Sequence, residues 1–174
     1  MAATTLTWRR ATGTDVEGIV ALSQQGFAAD AQTIWTVDPQ HFAHELTVDI
    51  VHQFFNPTAA LVAVSEQSGQ LQAYVWAERN QRTVWSSEEM VAIKIVHVDL
   101  GLPIRERIRL IREMMQLWEA WARTIGVNIV VSSTMRGDQP GFIRLHQQQG
   151  YECRGSICYL RLDKNATGQV TSHT

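Results

Sequence analysis

Groups able to transfer protons stand at both ends of one apolar run in this sequence of 174 residues. Glu88 and Glu89 precede the run at 90–98, and His97 and Asp99 stand at its end. Carboxylates and imidazoles are the side chains that most often move protons near neutral pH. His97 and Asp99 are two residues apart and would share one face of a strand, where they could tune an imidazole or form a strand-end ion pair. The two glutamates could instead be a solvated strand entrance.

A second chemical feature is the arginine-rich segment that follows this run. Pro103 opens a predicted helix that contains Arg105, Arg107 and Arg109. The first turn of a helix presents unpaired N–H groups and a partial positive charge, which favour bound anions. Arginine adds a planar fork of donors that suits the same ligands. Two interpretations stand: an anion site, or the solvated face of an amphipathic helix.

Hydrophobic periodicity predicts the elements that must position these residues. Apolar runs and turn residues predict strands over residues 6–10, 59–65, 71–78, 90–98, 128–132, 151–154 and 157–162. Capping residues and helical spacing predict helices over residues 14–27, 38–55, 103–125 and 139–148. On the long helix the predicted buried stripe includes Ile104, Ile108, Met115 and Trp118. This order predicts an α/β fold with a mixed sheet flanked by helices.

Length and composition predict one globular domain over residues 5–163, with a flexible tail over 164–174. The sequence is 45% hydrophobic and 18% charged, which suits a packed core. A net charge of -2 argues against a protein that mainly holds nucleic acid. No apolar stretch is long enough to span a membrane, and no leader is apparent, so we expect a cytoplasmic location. Cys153 and Cys158 fit neither a disulfide framework nor a metal site, so no metal is expected.

The order of elements resembles that of the GNAT superfamily of N-acetyltransferases over nearly the whole chain. The best local signal is the segment 142–151, FIRLHQQQGY, which is similar to the family's late helix and the Gly-Phe or Gly-Tyr that follows it. The apolar strand 90–98 running into a long helix is the second. The resemblance implies a GNAT-like fold and acetyl transfer from acetyl-coenzyme A to an amine of a small molecule or a protein. The segment 98–155 also resembles small bacteriophage-encoded members, which would place the protein in the host cytoplasm.

The resemblance also implies roles for individual residues. Glu89 takes the place of the general base, and His146 falls where the family has a tyrosine acting as the acid. Trp35 falls where the family shapes its acceptor pocket. Each has a structural alternative: a strand entrance, a helix-surface histidine and a core plug. Contact with acetyl-coenzyme A is expected from Val96, Val98, Pro103, Arg105, Arg107, Arg109 and Gln139.

The sequence departs from the family at the turn that binds the cofactor. The family has R/Q-x-x-G-x-G/A there, whereas residues 100–109 read LGLPIRERIR. Gly101 precedes the helix, and Arg107 and Arg109 fall near where the glycines would lie. The alternative function is therefore a degenerate GNAT-like fold that acts as a structural or protein-interaction module without catalysis. A homodimer is compatible with either function, and Trp76 and Trp85 are a candidate dimer or partner patch.

Overall fold

A five-stranded mixed sheet organises the chain in the computed structural model, which describes residues 7–27, 35–134 and 139–154. The spatial order of the strands follows the chain; the first four are antiparallel and the fifth is parallel to the fourth. This confirms the predicted α/β class. The elements are β1 (Thr7–Arg10), α1 (Val16–Gly26), α2 (Pro39–Phe55), β2 (Ala60–Gln67), β3 (Gln70–Thr83), β4 (Ser86–Val98), α3 (Ile104–Thr124), β5 (Ile129–Val131) and α4 (Gln139–Gln148).

Side chains along each strand alternate between the two faces of the sheet. Both faces carry apolar side chains, and helices cover both. On one face, Val64, Tyr74 and Trp76 pack in a buried cluster with residues of α1 and α2. On the other face, Val75 and Val91 pack in a cluster with residues of α3, including Trp118. Neighbouring residues of β3 therefore enter two separate cores, as expected for a sheet buried on both sides.

The hairpin of β2 and β3 forms as predicted. Ser68 and Gly69 join the strands with φ angles of 53° and 78°. Two positive φ angles match the right-handed twist of the strands, and glycine tolerates such a conformation without strain.

The next hairpin is longer than the sequence predicts, because β3 continues to Thr83 and β4 already begins at Ser86. Trp85 at its tip is 90% exposed, whereas Trp76 is buried in the sheet. The predicted patch of Trp76 with Trp85 is therefore wrong.

A register shift in β4 marks a β-bulge at Lys94. Trp76 pairs with Ile95 and the next residue, Ala77, pairs with Ile93, so Lys94 is the extra residue. The bulge places Lys94 on the face that α2 covers, where its ammonium group meets Asp49. It interrupts the alternation of side chains that an ideal strand would have.

The helix boundaries largely agree with the predictions, and the buried faces agree in part. On α2, Asp38 caps the helix as predicted, since its Oδ1 accepts from the backbone N–H of Gln40 at 2.9 Å and of His41 at 3.1 Å. The spacing of apolar residues predicts one buried side with Phe42, Leu46, Val51 and Phe54; Phe42 and Leu46 are buried, but Val51 and Phe54 are exposed and Ile50 is buried instead. The buried side of α2 advances four residues at a time, through Phe42, Leu46 and Ile50.

On α3 the buried stripe starts later than predicted. Ile104 and Ile108 are exposed, and the buried residues are Leu110, Met114, Met115, Trp118, Trp121 and Ala122. The first turns of the helix contribute little to the core, so their apolar side chains are exposed.

At the ends of the chain, two predicted elements change. The helix predicted from residue 14 is preceded by a 3-10 turn, Gly13–Asp15, and α1 itself begins at Val16. Residues 151–154 form no strand; the Tyr151 side chain packs against α3 instead. The predicted strand 157–162 and tail 164–174 lie outside the described residues, so the domain limits stay predictions.

Candidate active site

The sheet has an open edge where β4 extends beyond the last residue that pairs with β5. β5 pairs with β4 only at Met90, Val91 and Ala92, and β4 continues to Val98. Within the described ranges, no strand lies beside residues 93–98 on this side. A strand edge offers N–H and C=O groups that can bind an extended ligand through main-chain hydrogen bonds. The edge is therefore a candidate site for a linear molecule.

Val96 and Val98, two of the expected contact residues, form part of this edge. Val98 is 6% exposed and its side chain is in the core beneath α3, and Val96 packs against the same core. A ligand lying along the edge would therefore meet their main-chain groups rather than their side chains.

Helix α3 begins directly beyond this strand. Its N-cap is Pro103, which has no side-chain oxygen, and no described side chain caps the helix. The amide N–H groups of the first turn therefore keep the hydrogen-bonding capacity that a cap would use. Together with the helix dipole, they form a candidate anion site at the end of the open edge.

The three predicted arginines near this helix start differ in their surroundings. Arg109 Nη2 lies 2.6 Å from Glu106 Oε2, and Arg109 Nε lies 3.9 Å from Glu113 Oε1, so Arg109 belongs to the solvated helix face. Arg107 is half-buried, and its Nε is buried without a hydrogen-bond partner among the described residues. Arg105 is exposed and has no ion pair within the same ranges. Because an unsatisfied buried donor is costly, Arg107 has the clearest need for a bound acceptor.

His146 lies on α4, and both of its ring nitrogens form hydrogen bonds. It is 5% exposed, with Nδ1 2.9 Å from the carbonyl oxygen of Phe142 and Nε2 3.1 Å from Ser132 Oγ. Since a carbonyl only accepts, Nδ1 is assigned the proton, and Nε2 of the neutral ring accepts from Ser132. Burial lowers the pKa of His146 below its ordinary value, which favours the neutral ring.

The structure corrects one expectation for His146. The helix-surface alternative is wrong, because the ring is buried. The neutral ring accepts from Ser132, and the role of proton donor that the resemblance implies stays a prediction.

Aromatic contacts hold this imidazole in place. The Phe142 ring lies 3.8 Å from it between centroids, and the Tyr151 ring meets it edge-on at 5.0 Å. Tyr151 is fixed in turn, since its hydroxyl accepts from Trp118 Nε1 at 2.7 Å. Burial raises the pKa of Tyr151 to about 12, so the phenol stays neutral. The imidazole therefore has a rigid and largely apolar surround.

Glu89 lies near the start of β4, at the opposite end from the open edge. Its Oε2 accepts from Arg79 Nε at 2.9 Å and Nη2 at 2.7 Å, and Arg82 Nη2 lies 3.8 Å from Oε1. The hydrogen bonds from Arg79 lower the pKa of Glu89. A carboxylate with a lowered pKa is a weaker base at neutral pH. Its role as general base stays a prediction.

Sequence reasoning missed an ion cluster around Lys94. Lys94 Nζ lies 3.2 Å from Glu78 Oε2, 3.3 Å from Asp49 Oδ2 and 4.4 Å above the Trp76 ring. Trp76 Nε1 also donates to Asp49 Oδ2 at 2.6 Å. Desolvation lowers the pKa of Lys94, but the two carboxylates raise it further, so the ammonium stays charged. The signal in the sequence was a lysine inside an apolar run.

His97 and Asp99 occupy different surroundings. His97 is buried beside α1, stacked at 6.2 Å on Tyr74; a Cβ at Gly26 would come 3.1 Å from its Nδ1. Asp99 follows β4, and its Oδ1 accepts from the Gly101 N–H at 2.9 Å. Asp99 therefore shapes the turn that leads from β4 into α3.

The remaining predicted residues are placed less fully. Trp35 is 39% exposed just ahead of α2, and residues 28–34 before it are outside the described part. Gln139 is the first residue of α4. Strand pairing thus brings three features to one end of β4 and β5: the open edge, the start of α3, and the Ser132–His146 pair. Glu89 is not among them.

A groove elsewhere holds none of the predicted site residues. It has a volume of about 310 Å³ and lies between β1, β2 and the C-terminal half of α3, lined by Trp8, Arg10, Leu61, Leu117, Trp121 and Thr124 among others. Across the described residues, no three His, Cys, Asp or Glu side chains are grouped to hold a metal ion. No helix in the same ranges has both the length and the apolar character to cross a membrane.

No protein-family profile matches the sequence, and no curated protein matches it. Solved structures, in contrast, share its fold. The aminoglycoside 6'-N-acetyltransferase AAC(6')-Ih from Acinetobacter baumannii is similar with a TM-score of 0.66 and 15% identity, covering 90% of this chain and 97% of its own.

Two further structures agree. The aminoglycoside N-acetyltransferase AAC(6')-Iy, in complex with CoA, has a TM-score of 0.70 at 13% identity, covering 91% of this chain and 95% of its own. The ribosomal-protein-alanine N-acetyltransferase from Brucella melitensis biovar Abortus 2308 has a TM-score of 0.63 at 12% identity, covering 91% and 99%. At these identities the likeness establishes the fold, which is that of the GNAT acetyltransferases.

Proposed function

We propose that the protein is an N-acetyltransferase that takes an acetyl group from acetyl-coenzyme A and transfers it to an amine. The observation that carries this proposal is the open edge of β4, which leads directly to the uncapped start of α3. An extended donor with amide groups along its arm and a pyrophosphate at its end matches both parts. The complex of AAC(6')-Iy with CoA supports CoA as a ligand of this fold.

The residues of this chain fit such a donor. Main-chain groups of Val96 and Val98 would bind the arm along the edge. The first turn after Pro103 would hold the pyrophosphate, with Arg107 supplying the buried donor that otherwise has no partner in the described residues. Arg105 and the amide of Gln139 would add further contacts. Acetyl-coenzyme A would supply the acetyl group as an activated thioester.

The acceptor is proposed only as an amine. Aminoglycosides and a ribosomal protein are the acceptors named for similar structures, so both small molecules and proteins fall within the proposal. Glu89 as the base, and Trp35 in the acceptor pocket, stay proposals for separate tests.

Several other expectations stay proposals as well. A cytoplasmic location and a homodimer are among them. So is a bacteriophage origin, although the organisms named for similar structures include the bacteria Acinetobacter baumannii and Brucella melitensis. The non-catalytic alternative is not favoured, because the similar structures described above are acetyltransferases.

Calorimetric titration with acetyl-coenzyme A and with coenzyme A tests the donor. We expect micromolar binding that weakens about tenfold or more in Arg107→Gln, since a hydrogen bond to a charged group contributes roughly 1.5–3 kcal/mol. Arg123→Gln is the matched control, because it removes the same charge from the other end of α3. An equal loss in both variants would indicate a general charge effect and reject the Arg107 contact.

Thermal unfolding provides an independent check. A bound donor must raise the melting temperature, because it stabilises the folded state alone. Absence of both heat and thermal stabilisation at excess donor would reject the proposed function.

A further inference from the structure

Three groups at the end of β5 form one chain of hydrogen bonds. The Phe142 carbonyl accepts from His146 Nδ1, and His146 Nε2 accepts from the hydroxyl of Ser132, at 2.9 Å and 3.1 Å. A hydroxyl beside a base whose other nitrogen is oriented by a third group is the general pattern of an activated nucleophile. The pattern arises between residues that lie far apart in the sequence. We propose that Ser132 and His146 form a nucleophilic dyad in which Ser132 takes up an acyl group.

The geometry assigns the proton correctly for this role. With Nδ1–H donated to a carbonyl, the ring nitrogen that faces Ser132 has a free lone pair. The hydroxyl proton therefore points toward His146, and the lone pairs of Oγ are left for an incoming electrophile. His146 is buried and held between Phe142 and Tyr151, so the base is pre-positioned.

The position of Ser132 connects the dyad to the open edge. Val131, the last residue of β5, pairs with Ala92, and beyond that pair β4 continues without β5. Ser132 is the next residue and is half-exposed. Ser132 therefore follows the point where the two strands part, at the start of the edge on which the acyl donor is proposed to lie. This link to the donor rests on the proposed function; the dyad itself does not.

The proposed step balances as a simple acyl transfer. A bond forms between Ser132 Oγ and the acyl carbon, and the bond from that carbon to the leaving oxygen or sulfur breaks. The Oγ proton moves to His146 Nε2 and from there to the leaving group. An amine or water then takes the acyl group from Ser132 and restores the hydroxyl.

The test uses the whole protein and p-nitrophenyl acetate, an activated ester that needs no coenzyme site. We expect a burst of nitrophenolate, with one acetyl group on the peptide containing Ser132 by mass spectrometry. Background on amines should be small, because Lys94 and Lys164 are the only lysines in the sequence. Ser132→Ala should remove the burst, and Ser133→Ala, which alters the neighbouring exposed serine, should keep it.

Substituting His146 distinguishes a serine activated by a base from a serine that reacts only because it is exposed. His146→Gln should slow acetylation of Ser132 by about 100-fold, the scale of general-base assistance. Unchanged acetylation in His146→Gln with a native circular dichroism spectrum, or acetylation of other residues only, would overturn the dyad. If p-nitrophenyl acetate marks Ser132 but coenzyme A gives no heat, the dyad stands and the acetyltransferase proposal fails. If coenzyme A binds while Ser132 stays unmodified, the dyad fails and the acetyltransferase proposal stands.

Discussion

Replacing Lys94 with methionine should destabilise the protein measurably, although Lys94 lies partly at the surface. Methionine keeps an apolar stem over the Trp76 ring but removes the ammonium that joins Asp49 and Glu78. The carboxylates of Asp49 and Glu78 then have no cation between them. The substituted residue is also the one that forms the β4 bulge. The substitution therefore tests how much the ion cluster contributes to stability and whether it stabilises the bulge.

The size of the effect follows from distance and exposure. At 3.3 Å the attraction between Lys94 and Asp49 is roughly 5 kcal/mol at an effective dielectric constant of 20, before desolvation and entropy are subtracted. Exposed ion pairs retain about 0.2–1 kcal/mol, and breaking a buried pair costs about 3–5 kcal/mol. The side chains of Lys94 and Asp49 are 29% and 15% exposed, which lies between these cases. We expect a loss of about 1.5 kcal/mol for Lys94→Met.

Urea unfolding, followed by tryptophan fluorescence and circular dichroism, measures this loss. A double-mutant cycle with Asp49→Asn isolates the pair and should give a coupling of about 1 kcal/mol. The amide in Asp49→Asn can still accept the Trp76 indole hydrogen bond, so that contact remains in both arms. A Lys94→Met protein within about 0.3 kcal/mol of wild type, or a coupling near zero, would refute the argument.

Four smaller predictions concern single contacts. Tyr151→Phe leaves the Trp118 indole N–H without its acceptor and should cost about 1–3 kcal/mol in urea unfolding. Asp38→Ala removes the α2 cap and should cost about 1 kcal/mol in the same assay, whereas Asp38→Asn should cost less. Gly126→Ala should cost about 1 kcal/mol from backbone strain alone, because φ is 73° and no atom lies within 4 Å of the added Cβ. The lowered pKa of His146 means that the unfolded chain binds its proton first on acidification. Stability should therefore fall below about pH 6.5 in wild type, and less steeply in His146→Gln.

Local signals in the sequence were sufficient for the elements whose turns and caps depend on near neighbours. Gly69 predicts the tight turn of the first hairpin, because few other residues tolerate its φ angle. Asp38 and Pro39 predict the start of α2, because the cap involves only the next turn. The strand-to-helix junction at Pro103 was found for the same reason. The order of these elements then indicated the sheet and its fold class.

Features that depend on pairing across the sheet were not predictable in this way. The bulge at Lys94 exists only relative to β3, since one strand has an extra residue that the other lacks. The rotation of α3 depends on which turns reach the sheet, so Ile104 and Ile108 were placed in a core that begins at Leu110. Periodicity gives the width of an apolar stripe but not its starting turn.

The candidate site was predictable in part, for the same physical reason. The strand-to-helix junction and Arg107 were visible in the sequence, whereas the open edge at 93–98 depends on where β5 stops pairing with β4. Ser132 was missed, because its partner His146 is separated from it by a helix start and several turns. Glu89 was chosen by position alone, and its partner Arg79 comes from the neighbouring strand. Side-chain partners brought in by tertiary structure therefore decide which candidate base is available.

Both proposed features of the site, the open edge of β4 and the Ser132–His146 pair, result from the early end of β5. β5 has 3 residues and β4 has 13, so the strands must part after Val131. That parting exposes the main chain of β4 and leaves Ser132 outside the ladder. Because the hydroxyl no longer packs between strands, it can turn to His146 on α4. Extending the pairing through residue 98 of β4 would cover the edge and draw Ser132 into a strand, so donor binding and the dyad should be lost together. Ser132→Ala, in contrast, should remove the dyad and leave the edge open, which makes the two features separable by chemistry although they share one origin.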